Sequence, residues 1–187
     1  MEKHDNFQLN FSLKGYSSIQ IGLYFLLAAL AIKKMLDGFL IDDNPFGMFS
    51  AENIEVFLII ITLFTFIFSS LALFFKGRRA SKIFQHKLWN GKTKTAFWIY
   101  LVGFSVILSV LILLMKQGFI DYITPAFLIL YGILLFIFKN KERKNLLTLS
   151  GICLLLAVIC FLIPTYWYSS LTILGIAHIT YGVVVKN

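Results

Sequence analysis

The sequence predicts an all-α polytopic membrane protein: six transmembrane helices arranged as three hairpins, with both termini in the cytoplasm (N-in/C-in). Three observations carry this reading. The 187 residues are 59% hydrophobic and 14% charged, against about 45–50% and about 25% in a soluble domain. The hydrophobic residues fall into six apolar runs, and the loops between those runs alternate in charge. A soluble fold of this length could not bury so much apolar surface, 20 phenylalanines included, so lipid is the expected solvent. The length suits a single transmembrane domain over 1–187 with no further soluble domain.

The first run, 18–36, is long enough to cross a bilayer, which takes about 20 residues. No small-residue cleavage site follows it, so it is expected to remain as an anchor rather than leave as a signal peptide. The second and third runs, 54–75 and 95–115, are comfortable spans. The fourth, 123–138, and the sixth, 170–185, are short and are expected to extend into their loops. The fifth covers 146–163. All six are read as helices, because backbone amides in hydrocarbon must be satisfied within the segment. Their apolarity on every side conceals which face meets lipid. Short links predict hairpins between runs three and four and between runs five and six. Tyr131-Gly132 and Tyr181-Gly182 occupy matching places in these hairpins, which suggests a weak parallel repeat.

Orientation follows from the loops. Residues 76–94 carry Lys76, Arg78, Arg79, Lys82, Lys87, Lys92 and Lys94 with no acid, and 139–145 carry four basic residues against Glu142. The link between the first two runs holds Asp37, Asp42, Asp43 and Glu52 instead. Basic loops stay in the cytoplasm, which places 14 of the 17 Lys and Arg inside. Lys33, Lys34 and Lys116 are the exceptions. The first two are expected to snorkel to the outer headgroups; the alternative is a lysine facing into the bundle. The net charge of +8 therefore reads as topology, and nucleic acid is not an expected partner. The basic cytoplasmic loop 76–94 also contains Ile83, Phe84, Leu88 and Trp89. It suits anionic lipid headgroups, near which each basic residue contributes about 1 kcal/mol, or a cytosolic regulator.

Few residues carry chemistry. His178 is the one histidine within an apolar run. An ionisable group there is a candidate proton relay or ligand, against the plainer role of a neutral imidazole bonded to another helix. Tyr131, Thr180 and Tyr181 add hydroxyls near it if the fourth and sixth runs touch. His178, Thr180, Tyr131 and Lys33 are the lining a small transporter or channel would need. No Asp or Glu lies deep in any run, which weakens ion-coupled transport. No catalytic motif, phosphate-binding glycine loop or metal-spaced cluster is present, so no catalytic residue, metal or cofactor is expected. Cys153 and Cys160 lie two turns apart on one run, too far to bond each other, and read as buried packing. Gly132, Gly175 and Gly182, and Ser105 with Ser109, are expected to serve close helix packing within the bundle or in a homo-oligomer.

KLWN at 87–90, PAFLILYG at 125–132 and GIAHITYG at 175–182 resemble a family of uncharacterised bacterial multi-pass membrane proteins that close on a His-Ile-x-Tyr-Gly ending. The resemblance covers about residues 85–187. It implies a cell (inner) membrane location and, because such genes often neighbour a winged-helix transcriptional regulator, a regulatory partner. The N-terminal third departs from that family, which commonly opens with a soluble acidic helix. More distantly, 146–185 is similar to the short hairpins of the bacterial acid-resistance membrane protein family. Neither resemblance supplies catalytic residues. The leading expectation is a non-enzymatic membrane protein with a regulatory, stress-response or accessory role; a small, oligomeric transporter or channel is the alternative.

Overall fold

Hydrocarbon leaves a chain of this composition few options besides the helix, and helix is what forms. A computed structural model describes residues 13, 15–40, 50–83, 88–89, 91–138 and 146–185. These residues form six α-helices and no strand: α1 (Tyr16–Leu40), α2 (Ala51–Ile83), α3 (Gly91–Lys116), α4 (Ile123–Ile137), α5 (Leu146–Leu162) and α6 (Trp167–Val184). Each apolar run falls on one helix. The short fourth and sixth runs extend backwards through single 3-10 turns, Ile120–Tyr122 and Pro164–Tyr166. Four segments are long and apolar enough to cross a membrane: Tyr16–Gly38, Glu52–Ile83, Thr93–Lys116 and Ile120–Ile137. The α5 helix is apolar but has only 17 residues. The α6 helix is diluted by Trp167, Tyr168, Ser169, Ser170 and His178.

The stretch 76–94 is less of a loop than its charge suggests. The α2 helix runs on to Ile83 and α3 begins at Gly91. Lysine and arginine are good helix formers and no proline interrupts the stretch, so the helix extends about 12 Å past the end of the second apolar run. Lys76, Arg78, Arg79 and Lys82 therefore sit on a helical extension, and Lys94 on the first turn of α3. Lys87, the side chain of Lys92, and the charges of 139–145 lie outside the described residues.

Sequence neighbours do pack together, α1 on α2, α3 on α4 and α5 on α6, but the most extensive pairings are α1 with α6 and α4 with α5. Small residues decide this, since they let backbones approach closely. Gly22 of α1 lies directly on the Gly175 backbone of α6, and Gly182 lies on the Gly15 backbone. Gly15 takes a positive φ of 59° and donates its N–H to the Val185 carbonyl at 3.2 Å. At the other end the Lys33 ammonium rests 4.4 Å over the Tyr168 ring. The first and last helices thus run antiparallel along most of the length of α1.

The α4–α5 seam is built the same way. Gly132 sits against Ser150, Cys153 and Leu154, and Ser150 Oγ donates to the Gly132 carbonyl at 2.8 Å. Tyr122 meets Phe161 farther along. Each Tyr-Gly pair therefore marks a helix crossing. Gly132 rests on Ser150 and Leu154, and Gly182 on Gly15 and Ile19, in both cases two residues four apart on the neighbour. The main core joins α4, α5 and α6 through Leu128, Leu149, Cys153, Leu156, Cys160 and Leu174. Both cysteines are buried and free, as their spacing predicts. Ser105 and Ser109 are exposed, and Ser105 Oγ bonds back to the Leu101 carbonyl at 2.9 Å, so this pair makes no seam within the bundle.

Candidate functional site

His178 lies fully buried in the middle of α6, where α1 and α4 cover it. Tyr131 Oη of α4 stands 2.9 Å from His178 Nε2. Ser18 Oγ of α1 donates to the His178 carbonyl at 2.8 Å and lies 3.4 Å from Nδ1. A serine hydroxyl has one proton to give. With that proton on the carbonyl, the tautomer that satisfies both ring contacts has its hydrogen on Nδ1, directed at Ser18 Oγ. Nε2 is then the acceptor of the Tyr131 hydroxyl. The neutral imidazole thus has a partner at each nitrogen. Phe25 of α1 stacks on the imidazole with centroids 5.5 Å apart, and packs edge-on to Tyr131, also at 5.5 Å.

The other hydroxyls proposed around His178 part company. Thr180 is exposed and its Oγ1 bonds to the Ile176 carbonyl at 2.9 Å, within its own helix. Tyr181 is buried in the α4–α5–α6 core. Lys33 is exposed, two turns before the end of α1, with its ammonium over the Tyr168 ring; it does not face the bundle interior. A polar path built from His178, Tyr131, Thr180 and Lys33 is therefore absent among the described residues. One turn of α6 cannot present 178 and 180 to the same neighbour, because they are about 200° apart around the axis.

What the bundle does contain is a cavity of about 660 Å³ between α1, α2, α3 and α4. It reaches along α2 from Leu58 to Phe74 and along α3 from Thr93 to Met115, about 24 Å and about 33 Å at 1.5 Å per residue. Phe25, Phe127 and Tyr131 form part of its wall, and His178 lies behind them. On the opposite side Phe66 of α2 stacks on Tyr100 and Phe104 of α3. The wall is apolar even where its residues are not. Thr62, Thr65 and Ser70 return their hydroxyl protons to the carbonyls of Leu58, Ile61 and Phe66, and Tyr100 donates to Ser70 Oγ at 3.0 Å. Helical hydroxyls bonded in this way present mainly carbon to the space. Asp121 is the one carboxylate among the described lining residues.

The cavity's two ends differ in charge. Near Thr93 and Trp89 stand the partly buried Lys76 and the exposed Arg78, Arg79, Lys82 and Lys94. Lys76 Nζ donates to Ser17 Oγ at 3.4 Å, which ties the end of the apolar part of α2 to the start of α1. Every carboxylate among the described residues, namely Asp37, Glu52, Glu55 and Asp121, belongs to the opposite end. No group of three His, Cys, Asp or Glu among the described residues could hold a metal ion.

Sequence reading found His178 and Tyr131 but missed Ser18, Phe25 and the cavity. One signal was available. Thr62, Thr65 and Ser69 recur at helical spacing on an otherwise apolar run, and this hydroxyl stripe marks the cavity face of α2. The matching wall of α3 has no such marker. No family model, curated protein or solved structure matches the chain.

Proposed function

We propose that this chain is a six-span, N-in/C-in protein of the bacterial cell (inner) membrane, non-enzymatic, with a regulatory or accessory role exercised by holding a lipid-like molecule in its bundle. The single observation that carries the ligand reading is the long apolar cavity of about 660 Å³, a size typical of small-molecule sites, which run from about 300 to about 1,000 Å³. Among the described residues its walls offer no acid–base pair for catalysis and no ring of carbonyls or charges to replace the hydration of an ion. Both features favour an apolar occupant over a reaction or an ion path.

Packing supports six spans. If α1 crosses the bilayer, α6 crosses with it, because the two stay in contact from Gly15–Gly182 to Lys33–Tyr168. The α5 helix keeps company with α4 from Ser150–Gly132 to Phe161–Tyr122. A buried flank of this kind relaxes the apolarity a span needs, since only the remaining face meets lipid. The charge difference between the two ends supports the orientation. With Cys153 and Cys160 replaced by alanine, a cysteine at Lys82 is expected to react with a membrane-impermeant thiol reagent only after the cells are opened. A cysteine at Ser50 is expected to react in intact cells. The reverse pattern would invert the topology.

The ligand reading is tested with a neutral probe, a pyrene-labelled long-chain alcohol, added to purified protein in detergent. Saturable binding with a lowered ratio of the first to the third pyrene emission band is expected. Thr65→Phe and Ala96→Leu each push carbon into the cavity from a lining position and are expected to weaken binding by about tenfold, the effect of about 1.4 kcal/mol, at unchanged Tm. Binding equally tight in both variants would refute a ligand held between α2 and α3.

A further inference from the structure

The cavity is apolar and the helix ends beside it are basic. Their placement makes them two halves of one site. Leu73 and Phe74 line the cavity at the end of the apolar part of α2, and Lys76 follows one turn after Leu73, on the same side of the helix. On α3, Thr93 and Phe97 line the cavity, and Lys94 precedes Phe97 by one turn. Lys76 and Lys94 thus lie at the same end of the cavity, one on α2 just beyond its lining and one on α3 among its first lining residues. Lys76 is held there by Ser17, and Trp89 of the α2–α3 connection joins the lining at that level.

We infer that the cavity takes the acyl chain of an anionic lipid whose phosphate lies between Lys76 and Lys94, with the chain running along the cavity toward Met115. Charge fixes the direction. The far end carries Asp121 on the lining itself, with Asp37, Glu52 and Glu55 at the same level of the bundle, and would repel a phosphate. The near end carries Lys76, Arg78, Arg79, Lys82 and Lys94, and ammonium groups beside a phosphate form charge-assisted hydrogen bonds. Depth accommodates the tail. The lined length of about 24–33 Å exceeds the depth of one leaflet, half of the hydrocarbon thickness of about 30 Å, so a single acyl chain fits within it. A short soluble anion would engage the lysines and leave the apolar length empty, and a wax or sterol would fill the length without using the charge.

This inference rests on the cavity reading above, and the experiment separates the two. Phosphatidylglycerol and phosphatidylcholine with identical chains are compared as competitors of the pyrene-labelled alcohol, using the full chain in detergent. Phosphatidylglycerol is expected to displace the probe at about one-tenth the concentration of phosphatidylcholine. In the doubly substituted Lys76→Gln/Lys94→Gln protein the two lipids are expected to compete equally while the alcohol still binds. Equal competition in the unsubstituted protein would overturn the headgroup assignment and leave the apolar cavity standing. A preference that survives the double substitution would also overturn it, by placing the phosphate elsewhere. Failure of the alcohol to bind at all would remove both readings. Inorganic phosphate that displaces the probe as well as the lipid does would reassign the lysines to a soluble anion.

Discussion

Replacing Gly22 by alanine is expected to destabilise the bundle more than any other single-methyl addition. A Cβ at this position would meet the Gly175 carbonyl oxygen at 2.5 Å and the Ile179 amide nitrogen at 2.9 Å. Both are backbone atoms of α6 and neither can rotate away. Relief requires moving a helix, and overpacking of this sort costs about 1–3 kcal/mol and occasionally more. Gly182→Ala faces a similar obstacle in the Gly15 carbonyl at 2.7 Å. At Gly175 a side chain, Leu26, shares the contact and can yield, so the cost there is expected to be smaller. Gly151 is the control: it lies on the exposed face of α5 with nothing within 4 Å, and Gly151→Ala is expected to leave Tm unchanged or slightly raised. Thermal unfolding in a mild detergent checks the series. A Gly22→Ala protein with the Tm of Gly151→Ala would show that α1 and α6 do not meet at this seam.

The second large effect concerns His178, and its signature is non-additivity. Tyr131→Phe leaves Nε2 without its donor in a fully buried place, and His178→Leu leaves the Tyr131 hydroxyl without its acceptor. Each single change is expected to cost about 1–3 kcal/mol, the penalty for stranding one member of a buried pair. The double variant, Tyr131→Phe/His178→Leu, strands nothing and fills the same space with carbon. It is expected to be more stable than the sum of the single losses, and close to the better of the two. Ser18 retains its bond in every variant, because it donates to the backbone carbonyl of residue 178. Binding of the pyrene-labelled alcohol is expected to persist in His178→Leu, since the imidazole lies behind the cavity wall. Loss of that binding at full stability would make His178 part of the ligand site.

The outcome at His178 shows how far a sequence can be taken here. A histidine in an apolar run announces itself, because an ionisable group in hydrocarbon needs a reason. Its partners do not. Ser18 is 160 positions away and begins a helix that is apolar on all sides, so no periodicity marks the face it presents. Thr180 illustrates the converse. Two residues along from His178 it looks like a neighbour, yet helix geometry turns it outward to bond its own backbone. The basic stretch 76–94 was legible as charge but not as shape. Its composition favours helix as much as loop, and α2 simply continues.

The sequence by itself determined the all-helical class, the position of the six helices to within a few residues apart from the far end of α2, and the separation of charge between the two ends. These follow from local demands: apolar length, backbone satisfaction and the clustering of Lys and Arg. The tertiary structure alone decided that the first helix packs on the last, that α4 and α5 form the other tight seam, and that α1 to α4 leave a long cavity between them. Those are consequences of where glycines let backbones touch and where paired aromatic rings such as Phe66 and Tyr100 hold helices apart. In lipid, apolar faces are all alike to the solvent, so partner choice rests on such shape differences. Shape of that kind appears only when distant segments are brought side by side.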